Sequence, residues 1–305
     1  IGWCDWSSDV CSSDLIFQQK QEPPILLLKN KQATEDINNW TTAVVPNKFP
    51  AIEPASDLEE KLEGRLYKKM NAAGFHELVI PKNHNKQLNQ LSESRLEELI
   101  EAFRLRYLSL KKKKPVNFIS IFQNFGLQAG ASLIHPHFQI ITTSLLDVDI
   151  RNALLNSKKY YSENKACLYC RMMRHELKSR KRIVFENKDF AVLCPFASKA
   201  SFQSIISPKK HLSYFENISA QEIKSLAQTF KVIFKKLRKA LSDPSYNLYL
   251  HTAPCDGKKH PYYHWHWTIL PRVQQWAGFE AGARLEIINV KPEDAALLLR
   301  KTKIK

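Results

Sequence analysis

The chain repeats itself, and the repeat constrains its fold more tightly than any single motif does. Phe75-His76-Glu77-Leu78-Val79-Ile80-Pro81-Lys82-Asn83-His84 aligns without a gap on Phe202-Gln203-Ser204-Ile205-Ile206-Ser207-Pro208-Lys209-Lys210-His211. Phe, Pro, Lys and His coincide around an aliphatic centre. His135-Pro136-His137 begins 51 residues after His84, and His264-Trp265-His266 begins 53 residues after His211. Upstream, Asn47-Lys48-Phe49-Pro50-Ala51-Ile52 is echoed by Asn187-Lys188-Asp189-Phe190-Ala191-Val192. Landmarks in one order, twice over, indicate two copies of a single unit.

Each copy has the same grammar. Short β-prone segments (Val44-Val45 and Leu78 to Ile80; Ile183 to Phe185 and Ile205-Ile206) precede one helix. In the first copy Ser92 caps a helix whose stripe is Leu96, Leu99, Ile100, Phe103 and Tyr107. In the second, Ser219 and Glu222 have capping-box spacing, ahead of an apolar face of Ile223, Leu226, Ala227, Phe230, Ile233, Phe234 and Leu237. Strand pairs follow, Val116 to Gln123 with Phe138 to Thr142, and Tyr246 to Leu250 with Trp265 to Leu270. Pro292-Glu293-Asp294 opens a last helix. The expected class is α+β, a tandem duplication of one unit with antiparallel sheets flanked by helices. Residues 1–15 (IGWCDWSSDVCSSDL) have no helix or strand period and resemble a translated sequencing adaptor, so Cys4 and Cys11 are left out of the fold argument. The expected halves are 16–158, catalytic, and 159–305, structural.

Charge narrows the ligands without choosing among them. An excess of 46 Lys+Arg over 30 Asp+Glu gives +16, a field that attracts phosphates, nucleotides or nucleic acid. The run Lys111 to Lys114 reads as a solvated loop, not a nucleic-acid patch. No uninterrupted apolar stretch reaches the roughly 18 residues that span a bilayer, and no basic-then-apolar leader opens the chain, so no membrane is expected and the cytoplasm is the default compartment. Six cysteines in a chain of this length do not make a disulfide framework.

Chemistry concentrates after Ile134. If that segment is extended, His135, His137 and Gln139 point the same way. The preceding Asn124-Phe125-Gly126-Leu127-Gln128-Ala129-Gly130-Ala131-Ser132 can close backbone N–H groups and a hydroxyl around phosphate oxygens. Imidazole is a competent nucleophile toward phosphorus when its other nitrogen is held protonated by an acceptor such as a backbone carbonyl. A sugar phosphate leaves readily as an anion and needs no acid, so glutamine where a hydrolase would use a third histidine favours transfer between phosphates.

These segments resemble the galactose-1-phosphate uridylyltransferase family of the histidine-triad superfamily over about residues 40 to 300: VPNKFPAI, the Gly-Ala-Ser loop, HPHFQI, CLYC, HWHW and the closing GFE…IIN…PEDAALLLR. The resemblance implies that His137 becomes nucleotidylated and Gln139 binds the transferred phosphoryl group. It further implies that Asn124, Gly130 and Ser132 hold the phosphates and that Asn47 lies at the nucleoside. The implied reaction is ping-pong, between UDP-glucose or a related sugar-nucleotide and a hexose 1-phosphate, in a homodimer of galactose metabolism. An ADP-glucose phosphorylase-like adenylyltransferase is the alternative, because Gln274 to Phe279 replaces the basic residue expected to grip a hexose phosphate. A zinc-stabilised nucleic-acid-binding module, a reading of another class, leaves the His-Pro-His-x-Gln row unexplained.

Cys167-Leu168-Tyr169-Cys170 supplies two of the four ligands zinc prefers, and the repeat supplies His211 and His264, which makes a closed structural site. In the first copy His84 and His135 hold the equivalent places, but the CxxC pair carried by relatives is missing, so that site is incomplete. His266 is the repeat partner of His137 but lacks the Phe-Gln that follows it, so Trp265 and Trp267 are expected to pack. His76, His175, His251, His260, Cys194 and Cys255 are read as surface or core residues.

Overall fold

The computed structural model describes residues 23–55, 57–83, 86–131, 135–275 and 277–304. The segment at residues 1–15, His84 and Ser132 lie outside them. The first copy contains β1 (Leu26–Lys29), β2 (Gln32–Ala33), β3 (Thr42–Pro46), the hairpin β4 (Glu60–Glu63) and β5 (Tyr67–Met70), β6 (His76–Pro81), β7 (Phe118–Phe125) and β8 (Phe138–Thr143). The second contains β9 (Ile183–Glu186), β10 (Phe190–Leu193), β11 (Ser204–Pro208), β12 (Tyr246–His251) and β13 (His266–Pro271). Apart from the hairpin, the described strands make one antiparallel sheet in the order β2-β1-β3-β6-β8-β7-β12-β13-β11-β10-β9. Outward from its centre, β7-β8-β6-β3-β1 is mirrored by β12-β13-β11-β10-β9.

The two expected sheets are thus joined by pairing β7 to β12, with Asn124 opposite Asn247 and Phe122 opposite Tyr249. Each copy alone would leave that strand as an open edge, and pairing satisfies both rows of backbone groups at once. The ladder also corrects the upstream repeat. Thr42 lies opposite Pro81 and Phe190 opposite Pro208, so Phe190–Val192 corresponds to Thr42–Val44 and not to Pro50–Ile52. The letters Asn47 to Ile52 echo the second copy, but they form a segment after β3 that is specific to the first.

Six helices are described: α1 (Glu93–Leu110), α2 (Val148–Asn164), α3 (Leu168–Ser179), α4 (Ala220–Leu241), α5 (Gly278–Ala283) and α6 (Pro292–Lys301). Ser92 accepts from the Arg95 N–H at the start of α1, and Ser219 and Glu222 close a reciprocal capping box on α4. The apolar stripes read from sequence on α1 and α4 are buried together against one face of the sheet. Phe103 on α1 meets Phe138 at 4.7 Å and Trp267 at 5.9 Å, while Phe230 on α4 meets Trp267 at 5.5 Å. Both tryptophans are fully buried, as expected of packing residues. None of the described helices is long and apolar enough to cross a membrane.

Strand alternation decides what faces away from these helices. Glu77 points toward them and takes both its oxygens to Arg106 of α1, at 2.6 and 2.8 Å, in a buried bidentate pair. Its neighbours His76 and Leu78 therefore face the other way, as do His137, Gln139, Phe122, Asn124, Asn247 and Tyr249. Part of that open face is roofed by α2, whose Ile150 and Leu154 pack with Phe118 and Tyr263. In the lysine run, Lys112 to Lys114 are exposed as expected, but Lys111 bonds the buried Glu216 of the second copy at 2.9 Å.

Candidate active site

His137 sits immediately before β8 with its ring buried. Its Nδ1 lies 2.8 Å from the carbonyl oxygen of His135. A carbonyl only accepts, so Nδ1 carries the proton and Nε2 carries the lone pair. Burial holds this imidazole below the ordinary value of 6.5, against the raising effect of the bond to His135, and nearby His76 pushes the same way. The ring presents a neutral nitrogen lone pair in a fixed orientation. His135 does not share the row's chemistry: its Nε2 is turned to Pro81 O at 3.1 Å.

Gln139 is aimed by a residue the sequence gave no reason to select. The Ala51 N–H donates to His76 Nδ1 at 3.1 Å, so the proton of a neutral His76 resides on Nε2, which donates to Gln139 Oε1 at 2.9 Å. With its oxygen engaged, Gln139 presents N–H groups. Asn47 belongs to the same cluster: its Oδ1 accepts from the Phe49 N–H and its Nδ2 stands 3.0 Å from His76. His76 Nε2 is a donor in this tautomer, so the ring atom that can accept from Asn47 Nδ2 is Nδ1, at 3.3 Å, and the second N–H of the amide is left over.

The loop after β7 is a tight turn. Gly126 has φ +80°, and a Cβ there would stand 2.2 Å from Ser245 Oγ, so this position requires glycine. Gly130 is left-handed at φ +78°, with open space around it, but its N–H is directed to Leu127 O at 3.0 Å. Ala129 and Ala131 likewise direct their N–H groups to Gly126 O. This corrects the expected nest: the Gly130 N–H is spent on the loop itself, and what the residue offers a phosphate is clearance.

Donors come instead from side chains. Asn247 Nδ2 bonds Ala129 O at 2.9 Å and Asn124 Oδ1 at 2.8 Å, and Asn247 Oδ1 accepts from Arg272 Nε at 2.6 Å. Again a backbone carbonyl fixes the direction, leaving N–H groups on Asn124 and Arg272. These residues line a cleft of about 430 Å³ with Phe122, Tyr249 and His251. Asn247 and Arg272 come from the second copy and were not selected from sequence. Arg272 follows His266, Thr268 and Leu270 at every second position, a period that places it on this face.

The second copy repeats the frame without the reactivity. His264 Nε2 bonds Pro208 O at 3.0 Å and His266 Nδ1 faces His264 O at 3.2 Å, the counterparts of the His135 and His137 bonds. But His251 stacks on His266 at 4.8 Å and Tyr169 closes over it at 5.8 Å, and burial pushes His266 down to about 3. Thr268, two residues on, stands where the first copy has Gln139. Tyr169 lies between Cys167 and Cys170, whose sulfurs gather with His211 and His264 so that all four ligand atoms lie within 4.8 Å of one another. Cys170 Sγ is 3.3 Å from His211 Nδ1 and 3.4 Å from His264 Nδ1. Two thiols and two imidazoles at these separations suit a tetrahedral metal ion, with the Pro208 carbonyl turning the His264 lone pair inward. Hydrogen bonds from Cys170, His211 and His264 hold Cys167 far below the usual thiol range, and the neighbouring sulfur raises Cys170 in turn. In the first copy His135 is in place, while its partner His84 is outside the described residues.

Galactose-1-phosphate uridyl transferase domains match the chain twice, the N-terminal domain at residues 13–147 and the C-terminal domain at 153–275. The chain belongs to the galactose-1-phosphate uridyl transferase family. It is thereby a transferase. It is 29% identical to an ADP-glucose phosphorylase of Arabidopsis thaliana over 270 residues, 87% of this chain and 76% of that one. It is also 29% identical to a galactose-1-phosphate uridylyltransferase of Thermotoga maritima over 267 residues, 85% and 83% of the two chains. The crystal structure of an Arabidopsis thaliana ADP-glucose phosphorylase with bound ADP-glucose superposes with a TM-score of 0.81 at 27% identity, covering 93% of this chain and 86% of that one.

A nucleophilic imidazole must be unprotonated, and the lowered His137 pKa keeps this ring unprotonated below the ordinary imidazole range. The midpoint of the pH profile of nucleotidylation, measured in rapid-quench experiments, is expected below 6.5. A midpoint at or above 6.5 would contradict the burial argument.

Proposed function

We propose that this chain is a hexose-1-phosphate uridylyltransferase, moving UMP between UDP-glucose and galactose 1-phosphate through a nucleotidyl-His137 intermediate. The observation that carries the reading is the His137 Nδ1–H bond to His135 O, which leaves a lone pair on Nε2, just before a strand whose register sets His137 level with Asn124 of the cleft. Nε2 attacks the α-phosphorus, the P–O bond to the sugar phosphate breaks, and the leaving oxygen takes the electron pair. In the second half-reaction a hexose 1-phosphate oxygen attacks the same phosphorus, the P–N bond breaks and the pair returns to Nε2. Gln139 and Asn124 donate to phosphoryl oxygens whose charge grows in each transition state. By family resemblance Gly130 and Ser132 complete the phosphate cradle. The division is a catalytic half, 16–158, and a structural half, 159–305, acting as a cytoplasmic homodimer.

The test is trapping. Wild type mixed with α-labelled UDP-glucose should retain acid-labile label on protein, whereas His137→Asn should retain none and lose turnover by roughly four orders of magnitude or more, the scale seen when a catalytic nucleophile is removed. Running ADP-glucose in parallel identifies the base. Label from ADP-glucose alone replaces the uridylyl reading with the adenylyl one, and label from neither donor overturns nucleotidyl transfer.

We assign zinc to Cys167, Cys170, His211 and His264, in a structural role because four protein ligands leave no open position. Purified protein should hold about one zinc per chain at this site. Cys170→Ser should lose the ion and unfold several degrees lower, since metal affinity is coupled to folding. Metal-free wild type with an unchanged Tm would remove the assignment.

A further inference from the structure

The residues Gln274 to Phe279 lack the basic side chain expected to grip a hexose phosphate, but the cleft has a cation. Arg272 reaches it from the end of β13 and is half-buried. Its Nε is anchored on Asn247 Oδ1 at 2.6 Å, which leaves the two terminal amino groups as donors. Among the described residues no carboxylate lies within ion-pair distance of it, so the cation is not neutralised in place.

Position supports the same reading. The β7–β8 register places Phe122 opposite Gln139, so Asn124, two residues on, is level with His137, and Asn247 lies opposite Asn124. From the strand of His137 to that of Asn247 is two strand spacings, roughly 10 Å. That span accommodates an attacking nitrogen, two linked phosphoryl groups and a guanidinium in line. Asn124, Asn247 and Arg272 form one hydrogen-bonded chain whose oxygens are all engaged internally and whose outward groups are donors. An array without a free acceptor favours an anion over a neutral sugar.

We infer that Arg272, held by Asn247 beside Asn124, binds the phosphate of the acceptor, the group that leaves the α-phosphorus when His137 attacks in one half-reaction and attacks that phosphorus in the other. The inference rests on the nucleotidyl-transfer reading and assigns to that reaction a phosphate subsite supplied by the second copy. The ligand is a phosphate dianion, carried by a hexose 1-phosphate or as inorganic phosphate. In either case an acceptor oxygen forms the new P–O bond as the P–N bond to His137 breaks.

The experiment isolates the labelled protein and follows loss of label in a single turnover, with galactose 1-phosphate in one arm and inorganic phosphate in the other. Arg272→Gln should still take up label at saturating donor, which shows that it is folded. Its half-saturating acceptor concentration for discharge should rise about tenfold or more, equivalent to about 1.4 kcal/mol. Arg272→Lys should recover part of that loss, because it keeps the charge but not the planar fork. The arm that discharges wild type identifies the phosphate's source, a sugar-nucleotide product marking hexose 1-phosphate and a nucleoside diphosphate marking inorganic phosphate. Label that forms normally and discharges from Arg272→Gln with unchanged half-saturation overturns this subsite alone. Wild type that takes no label overturns the parent reading and the subsite with it.

Discussion

The pairing of β7 with β12 is the constraint on which the rest of the molecule depends. It converts two half-sheets, each with an exposed edge, into one continuous sheet, and its register sets Asn124 against Asn247. From that juxtaposition follow the anchoring of the loop at Ala129, the seating of Arg272 and the cleft itself. In the second copy His251 and Tyr169 pack on the ring of His266, while Asn247 and Arg272 of the same copy line the cleft beside the first.

Within that frame, backbone groups that cannot exchange donor for acceptor set the polarity of three short side-chain chains. The His135 carbonyl protonates His137 on Nδ1, the Ala51 N–H orients His76 and through it Gln139, and the Ala129 carbonyl orients Asn247 and through it Asn124 and Arg272. In each chain the oxygens face protein and the N–H groups face the cleft. Such an array needs little reorganisation when negative charge develops on a phosphoryl group, which is the physical basis of electrostatic preorganisation.

What the sequence disclosed was local or repeated. Helix stripes and caps depend on neighbours within a few turns, so Ser92, Ser219 and the apolar faces of α1 and α4 were legible. The repeat brought His211 and His264 to the CxxC pair across long separations, and the structure gathers those four residues. His76 was passed over because its importance arises from β6 lying between β3 and β8, a non-local pairing that no period reports. Asn247 depends likewise on the seam. The Asn47 to Ile52 echo failed because similarity of letters was set against strand register, and register is fixed by the ladder Thr42 makes with Pro81. Arg272 is the exception: its two-residue period with His266 was available.

The central claim is that one imidazole, held by its neighbour's carbonyl, forms a bond to phosphorus. The most direct measurement is alkaline quenching of a donor-loaded sample, proteolysis under conditions that preserve phosphoramidates, and mass-spectrometric location of the added nucleotide. The account predicts a single modified peptide, with the adduct on the ring nitrogen of His137 remote from the His135 carbonyl. A nucleotide found on another residue, or product formed at full rate while no peptide carries one, would contradict it.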